Sequence, residues 1–204
     1  MIIKKFIVIK TILCALILFL PSCVGQEKKD YFPLVGGSRW EYEGEMLNDG
    51  KLSKVKISSF IDEQETIHGE KFHKIVSVFD FTSEPQINYV RKTQDGIYLV
   101  AEEYKAKTEI LSVPLPLELG NTWTVNSPEE KGEYSIVARE TVYLFDKQYA
   151  HCFKIIFKGT VRGFDTKRTQ YFAPNVGLVK QIISGKKFKL KAHLLKYKAG
   201  NEDE

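Results

Sequence analysis

The 204-residue chain is 43% hydrophobic and 27% charged, with a formal net charge of +4. Three of its 30 Lys and Arg lie in residues 1–22, which contain no acid, so the rest of the chain has 27 bases against 26 acids. This near-neutral balance excludes a global electrostatic attraction to nucleic acid, and we predict no nucleic-acid partner.

Residues 1–22 are typical of a secretory signal. Three lysines precede an uninterrupted apolar run at 12–20, which is too short for a comfortable membrane span. The run ends in Leu-Pro-Ser-Cys, which resembles the bacterial lipoprotein signal, although Pro21 is a less usual occupant of its position. We predict cleavage before Cys23 and lipidation of its thiol. Plain secretion and an uncleaved anchor are the alternatives.

Lipidation would hold the protein at a membrane, because each buried methylene of an acyl chain contributes about 0.8 kcal/mol. Residues 23–30 are short and polar, which predicts a lipidated tether. The predicted location is the extracytoplasmic cell envelope, with the outer membrane favoured. With Cys14 in the signal and Cys23 acylated, Cys152 is left unpaired, either as a reactive thiol or as a small residue in a strand.

The segment 31–198 reads as one β domain, followed by a polar tail at 199–204. Its apolar runs are rich in β-branched and aromatic residues, often alternate in polarity, and are separated by turn-forming residues. "SPEEKGEY", the nearest helix candidate, contains Pro and Gly and favours a turn. The predicted strands are "KVKISSF", "KFHKIVSVFDF", "INYVRK", "GIYLVAEEY", "EYSIVARE", "TVYLFD", "CFKIIFKG", "RTQYFA", "GLVKQII" and "KFKLKAHL".

A phrase of the form PLxxGxxW occurs twice, as "PLVGGSRW" ending at Trp40 and "PLELGNTW" ending at Trp123. Segments that follow each phrase can also be overlaid, which predicts two similar halves at about 31–112 and 113–198. We expect an all-β fold, a single antiparallel curved sheet forming a half-barrel or barrel, with about five strands in each half. The two tryptophans are predicted to be equivalent core residues; the alternative is a ligand platform.

Two motifs carry a resemblance to a known family. "YFPLVGGSRWEYEG" near the start of the domain and "YFAPNVGLVK" near its end resemble motifs of uncharacterised bacterial envelope lipoproteins, with Asn175 where the second motif has Gly. The resemblance implies an all-β domain similar in fold to the half-barrel of periplasmic lipoprotein carriers. It implies no reaction and no catalytic residues.

The chain lacks the sequence motifs of common hydrolases, metalloproteases, nucleotide-binding loops and redox sites. A metal site could be imagined from His68, Glu70, His73 and His151, but four histidines are ordinary usage and we predict no metal and no cofactor. The acid pairs Glu102–Glu103 and Glu129–Glu130 lie in segments predicted to face solvent. No catalytic residue is predicted.

Twelve Lys or Arg against a single acid occupy residues 154–198. In "KKFKLKAHL" they alternate with apolar residues, which predicts a half-buried strand with a solvated lysine face; a site for anionic partners is the alternative.

We expect a membrane-anchored envelope lipoprotein that binds an apolar or amphipathic ligand, or a partner protein, without catalysis. A structural or assembly component of an envelope complex is the alternative, and a hydrolase is a third hypothesis.

Overall fold

The computed structural model describes residues 29–101 and 109–201. These residues form twelve strands and no helix, and thus no helix among them is long and apolar enough to cross a membrane. The strands are β1 Arg39–Asn48, β2 Lys51–Ile67, β3 Glu70–Phe79, β4 Gln86–Lys92, β5 Gly96–Ala101, β6 Ile110–Pro114, β7 Thr122–Asn126, β8 Glu130–Leu144, β9 Lys147–Val161, β10 Phe164–Ala173, β11 Gly177–Ser184 and β12 Phe188–Lys198.

All twelve strands belong to one antiparallel sheet that nearly closes into a barrel. Its order is β6-β5-β4-β3-β2-β1-β12-β11-β10-β9-β8-β7, so each half of the chain is a meander of six strands. The two meanders join where the first strand pairs with the last, with Trp40 opposite Tyr197. The fold class predicted from the sequence is confirmed.

Each half has six strands instead of about five. In the first half, β6 was not predicted because it is short and ends at a proline, which cannot donate a ladder hydrogen bond. In the second half, the predicted strands "EYSIVARE" and "TVYLFD" are parts of the single strand β8, which continues through a register shift. The first strand, β7, brings this half to six. Residues 102–104 of "GIYLVAEEY" lie outside the described residues.

The segments overlaid in the sequence occupy corresponding places in the two meanders. "KFHKIV" and "CFKII" are in the third strand of each half, and the aromatic runs that follow are in the fourth. Trp40 and Trp123 both lie in the first strand of their half. The boundaries of the two halves remain a prediction.

Two-residue turns close several of the hairpins. At Asp49-Gly50, φ is 47° and 83°, and both His68-Gly69 and Arg162-Gly163 have the same pair of positive angles. Such turns match the twist of antiparallel strands, and Gly adopts their second position without steric cost.

The segment before β1 fills part of the barrel interior. Phe32 packs against buried clusters of both halves, and Leu34 contacts a cluster shared by the two. Residues 31–38, which follow the predicted tether, therefore fill one end of the barrel and are called the plug segment.

Candidate functional site

The two motifs that carry the family resemblance contact each other. The rings of Phe32 and Phe172 lie 4.9 Å apart, and the indole N–H of Trp40 donates to the carbonyl oxygen of Val176 at 2.7 Å. A β-carbon added at Gly177 would meet the ring of Pro33 at 3.5 Å. The late motif therefore holds the plug segment in place, which gives both motifs a structural role.

Asn175, which departs from the family pattern, is the centre of this contact. Its φ of 60° lies in the left-handed region, which asparagine tolerates better than most residues. Its Oδ1 accepts from the backbone N–H of Asp30 at 2.9 Å, and its own N–H donates to the carbonyl of Asp30 at 2.5 Å. Asparagine therefore meets the conformational need that glycine would meet, and adds a side-chain acceptor.

Beyond the plug, a cavity of about 1380 Å³ lies between the two halves of the sheet. One wall comes from β2 to β6 and the facing wall from β7 to β10. Apolar side chains on both walls line it, namely Ile67, Phe72, Ile87, Leu99, Val100, Ile110, Val125 and Val161. A volume of this size exceeds that of typical small-molecule pockets, about 300–1,000 Å³.

The cavity reaches the seam where the sheet does not close. β6 and β7 are the two edges of the sheet, and Ile110 on one edge and Val125 on the other both line the cavity. Two residues farther along β6, the carbonyl of Ser112 accepts from the indole N–H of Trp123 across the gap at 2.9 Å. This hydrogen bond joins two strands that share no ladder.

A polar network interrupts the apolar wall. Arg168 donates to Glu130 Oε2 at 2.8 Å and to the Tyr134 hydroxyl at 3.0 Å. That hydroxyl donates to Glu130 Oε1 at 2.6 Å. The Arg168 and Glu130 side chains are 19% and 17% exposed, and burial raises the pKa of Tyr134. The network offers a ligand a fixed, charged and hydrogen-bonding group beside the apolar side chains of the walls.

This network corrects one expectation. Glu130 was predicted to face solvent, yet it is largely buried against Arg168. Its neighbour Glu129 is 28% exposed and pairs with Arg162 at 2.5 Å. The sequence spacing of Glu130 and Arg168 carried no signal of the contact, because they meet through the pairing of three strands. Glu102 and Glu103 lie outside the described residues.

A second ionic group lies beside the first wall. Arg91 contacts Glu109 at 2.5 Å and Glu70 at 3.7 Å, and its guanidinium lies over the ring of Tyr98. Glu70 and Glu109 also line the cavity, whereas Arg91 is not among the described lining residues. Arg91 therefore forms ion pairs with two acidic residues of the cavity wall.

The four residues considered as metal ligands do not lie together. His68 and Glu70 flank the β2–β3 turn at the large cavity, whereas His73 lines a smaller cavity of about 430 Å³ beside Lys71 and Arg91. His151 lies on an irregular part of β9, where its carbonyl accepts from the Tyr31 hydroxyl. Within 29–101 and 109–201, no group of three or more His, Cys, Asp or Glu could hold a metal ion.

The environment of His73 is desolvated. Its Nε2 lies 3.2 Å from Gln64 Nε2, its Nδ1 is buried without a partner, and burial lowers its pKa. Burial therefore disfavours the charged form of the ring.

Cys152 lies in the core. Its side chain is fully buried among Trp40, Val142 and Leu144, its thiol donates to the carbonyl of Tyr149, and burial raises its pKa to about 11. A thiol in this setting is neutral and inaccessible, so the structure favours the structural role over a reactive one.

Both tryptophans also pack structurally. Trp40 stacks on Tyr197 with ring centroids 5.4 Å apart, and Trp123 stacks on Tyr134 at 5.0 Å. Trp40 is 8% exposed, whereas Trp123, in an edge strand, is only partly buried. Neither is among the described residues that line the large cavity, which favours the core role over a ligand platform.

Two lysines of β12 lie opposite acids on β1. Lys191 lies opposite Glu45 and Lys196 opposite Glu41, while on the other side of β1 Lys54 lies opposite Glu45. Leu190, Ala192 and Leu194 of β12 point into the core. The strand is half-buried as predicted, and two of its four lysines lie opposite carboxylates, whereas Lys189 lies opposite Leu47 and Lys198 opposite Arg39.

Comparisons with known proteins give distant similarities only. No family model matches the chain, and no curated protein matches it. A Parabacteroides distasonis protein described as a lipoprotein has 16% identity and a TM-score of 0.48, with 85% of this chain and 100% of that one covered.

Two further solved structures show the same level of similarity or less. A Bacteroides fragilis protein described as exported, with a YmcC-like fold, has 13% identity and a TM-score of 0.47 over 83% of this chain and 99% of that one. A Vibrio parahaemolyticus domain described as an outer membrane lipoprotein-sorting protein has 8% identity and a TM-score of 0.31, covering 83% and 87%. These values assign no activity, ligand or partner to this chain.

Proposed function

We propose that this chain is a lipid-anchored envelope protein that binds an amphipathic ligand, without catalysis, in the cavity between the two halves of its sheet. The observation that carries the proposal is the cavity of about 1380 Å³, whose apolar side chains on both walls lie beside charged and polar groups that include the Glu130–Tyr134–Arg168 network. A ligand site combines apolar surface with placed polar groups, and the mixed lining of this cavity suits a ligand that has both an apolar and a polar part.

The anchor rests on the N-terminal sequence. Residues 1–22 followed by Cys23 have the order of a lipoprotein signal, and Cys23 lies outside the described residues. In cells, Cys23→Ala should abolish acyl labelling and release the protein into the soluble fraction. Persistent labelling would refute the anchor while leaving the cavity unaffected.

Ligand binding can be measured with a fluorescent fatty acid such as dansyl-undecanoic acid. Ile87→Trp places a larger side chain on the cavity wall. We therefore expect the apparent affinity for the dansyl fatty acid, measured by fluorescence titration, to fall about tenfold, which is equivalent to about 1.4 kcal/mol. Val78→Trp is the matched control, because Val78 is 47% exposed one strand away.

Equal binding by both variants, or no binding by the parent protein, would contradict ligand binding in this cavity. Mass spectrometry of the protein purified from membranes in mild detergent would then identify the class of any natural amphiphile. Recovery of a stoichiometric protein partner with an empty cavity would favour the assembly role instead.

A further inference from the structure

The β8–β9 hairpin extends beyond the strands on either side of it. β8 pairs with β7 only as far as Ser135, and β9 pairs with β10 only from Phe153 onward. Ile136 still bonds to the backbone of Gly120 and Asn121, so residues 137–152 form a two-stranded ribbon whose tip is the turn at Phe145-Asp146.

The two faces of this ribbon differ. Val142, Leu144 and Cys152 belong to a buried cluster of the core. On the opposite face, Tyr143 is 71% exposed and Phe145 is 60% exposed. Two neighbouring aromatic side chains thus point into solvent from an element whose other face is packed, and packing within the described domain does not explain them.

The ribbon lies at the end of the barrel where the chain emerges from the predicted tether. The Tyr31 hydroxyl donates to the carbonyl of His151, and the Tyr31 ring contacts Phe153. Leu34 packs in the same cluster as Leu144. The first described residues are therefore packed along the ribbon.

The length of the tether limits which surface can meet the membrane. Six peptide units separate Cys23 from Lys29, and at about 3.6 Å each they span at most about 22 Å. From His151, which Tyr31 contacts, β9 continues for ten residues to Val161, about 33 Å at roughly 3.3 Å per residue. A lipid at Cys23 therefore keeps the ribbon end near the bilayer and leaves the opposite end of β9 far from it.

We propose that the outer face of the ribbon, Tyr143 and Phe145, docks onto the lipid bilayer that holds the Cys23 anchor. The docking rests on the anchor of the proposed function. Aromatic side chains are favoured at the membrane interface, where an apolar ring enters the acyl boundary and a hydroxyl stays at headgroup level. Docking adds a second attachment to the lipid and sets the orientation of the domain on the membrane.

The chain contains a matched control for this surface. Phe164 is 75% exposed and follows the turn at the far end of β9, where β10 begins. It has the same side chain as Phe145 and similar exposure, but lies at the end that the tether keeps away from the membrane.

The experiment uses the full lipidated chain in phosphatidylcholine and phosphatidylglycerol vesicles that contain brominated acyl chains, which quench tryptophan. Phe145→Trp, Tyr143→Trp and Phe164→Trp are compared, with the emission of the parent protein subtracted. We expect Phe145→Trp and Tyr143→Trp to lose about half of their added emission, since interfacial side chains lie about 5–10 Å into the headgroup and acyl boundary. Phe164→Trp should be unaffected.

Flotation of the same samples separates the two proposals. Vesicle flotation without quenching at 143 and 145, or with equal quenching at 164, would overturn docking and leave the anchor intact. Failure of the chain with Cys23 intact to float would refute the anchor, and with it the docking that depends on it.

Discussion

At the scale of single residues, the Arg168 guanidinium decides the polarity of the cavity wall. It contacts a carboxylate and a phenol at once, and both partners are largely buried. Removing one member of such a network leaves another partly desolvated and unpaired, which costs more than the hydrogen bond itself contributes. Arg162, by contrast, pairs with Glu129 from a side chain that is 64% exposed.

Arg168→Met should therefore lower the free energy of unfolding by about 2–3 kcal/mol. Arg162→Met, the matched control on the exposed pair, should lower it by less than about 1 kcal/mol. Urea denaturation followed by circular dichroism measures both. Equal losses would mean that Glu130 finds water or another partner when Arg168 is removed, and the network would then be ordinary surface charge.

The burial of single side chains could be predicted from the sequence, but contacts between distant side chains could not. The core roles of Cys152 and the tryptophans follow from residue type, because small and aromatic side chains within alternating strands are usually buried. The Glu130–Arg168 contact could not be predicted, since its members are 38 positions apart and come together only through the pairing of β8, β9 and β10.

At the scale of elements, the turn between β10 and β11 connects the sheet to its plug. Asn175 supplies an acceptor for Asp30 and adopts a left-handed conformation. The motif that this segment resembles has glycine at this position, so asparagine and glycine can be compared directly at one site.

We expect Asn175→Gly to lower the free energy of unfolding by about 1 kcal/mol, because only the side-chain acceptor is lost. Asn175→Ala should lower it by about 2–3 kcal/mol, since a β-carbon in the left-handed region costs a further 1–2 kcal/mol. Chemical denaturation of the two variants side by side tests the order. If Asn175→Gly lowered the free energy of unfolding more than Asn175→Ala, the left-handed backbone conformation would not explain the asparagine at this position.

The strands themselves were largely predictable. Alternation and β-branched residues indicated most of them, and the positive-φ turns fall at the polar dipeptides that such turns require. β6 was missed because five residues ending in proline carry too little pattern. β8 was divided in two because its register shift interrupts the alternation.

At the scale of the whole molecule, the seam between β6 and β7 is what separates this sheet from a closed barrel. The two edges share no ladder, and the Trp123 indole bonds to Ser112 across them. Trp40 makes a similar hydrogen bond to Val176, but from a strand that is paired on both sides.

Trp123→Phe should open the seam locally. Losing one hydrogen bond of about 1 kcal/mol should speed amide exchange in 110–114 and 122–126 by about fivefold, while the central strands keep their protection. Hydrogen exchange measured by mass spectrometry resolves these segments, and Trp40→Phe is the control. A uniform increase across the sheet in both variants would contradict a specific role for the seam.

Local chemistry in the sequence determined the all-β class, most strands and their turns, because alternation and turn residues act over a few neighbouring positions. The tertiary structure alone decided that β1 pairs with β12, that the break falls between β6 and β7, and that a cavity with a charged network lies beside it. These features depend on contacts between residues far apart in the chain, and on how the two meanders curve around each other, which no local pattern encodes.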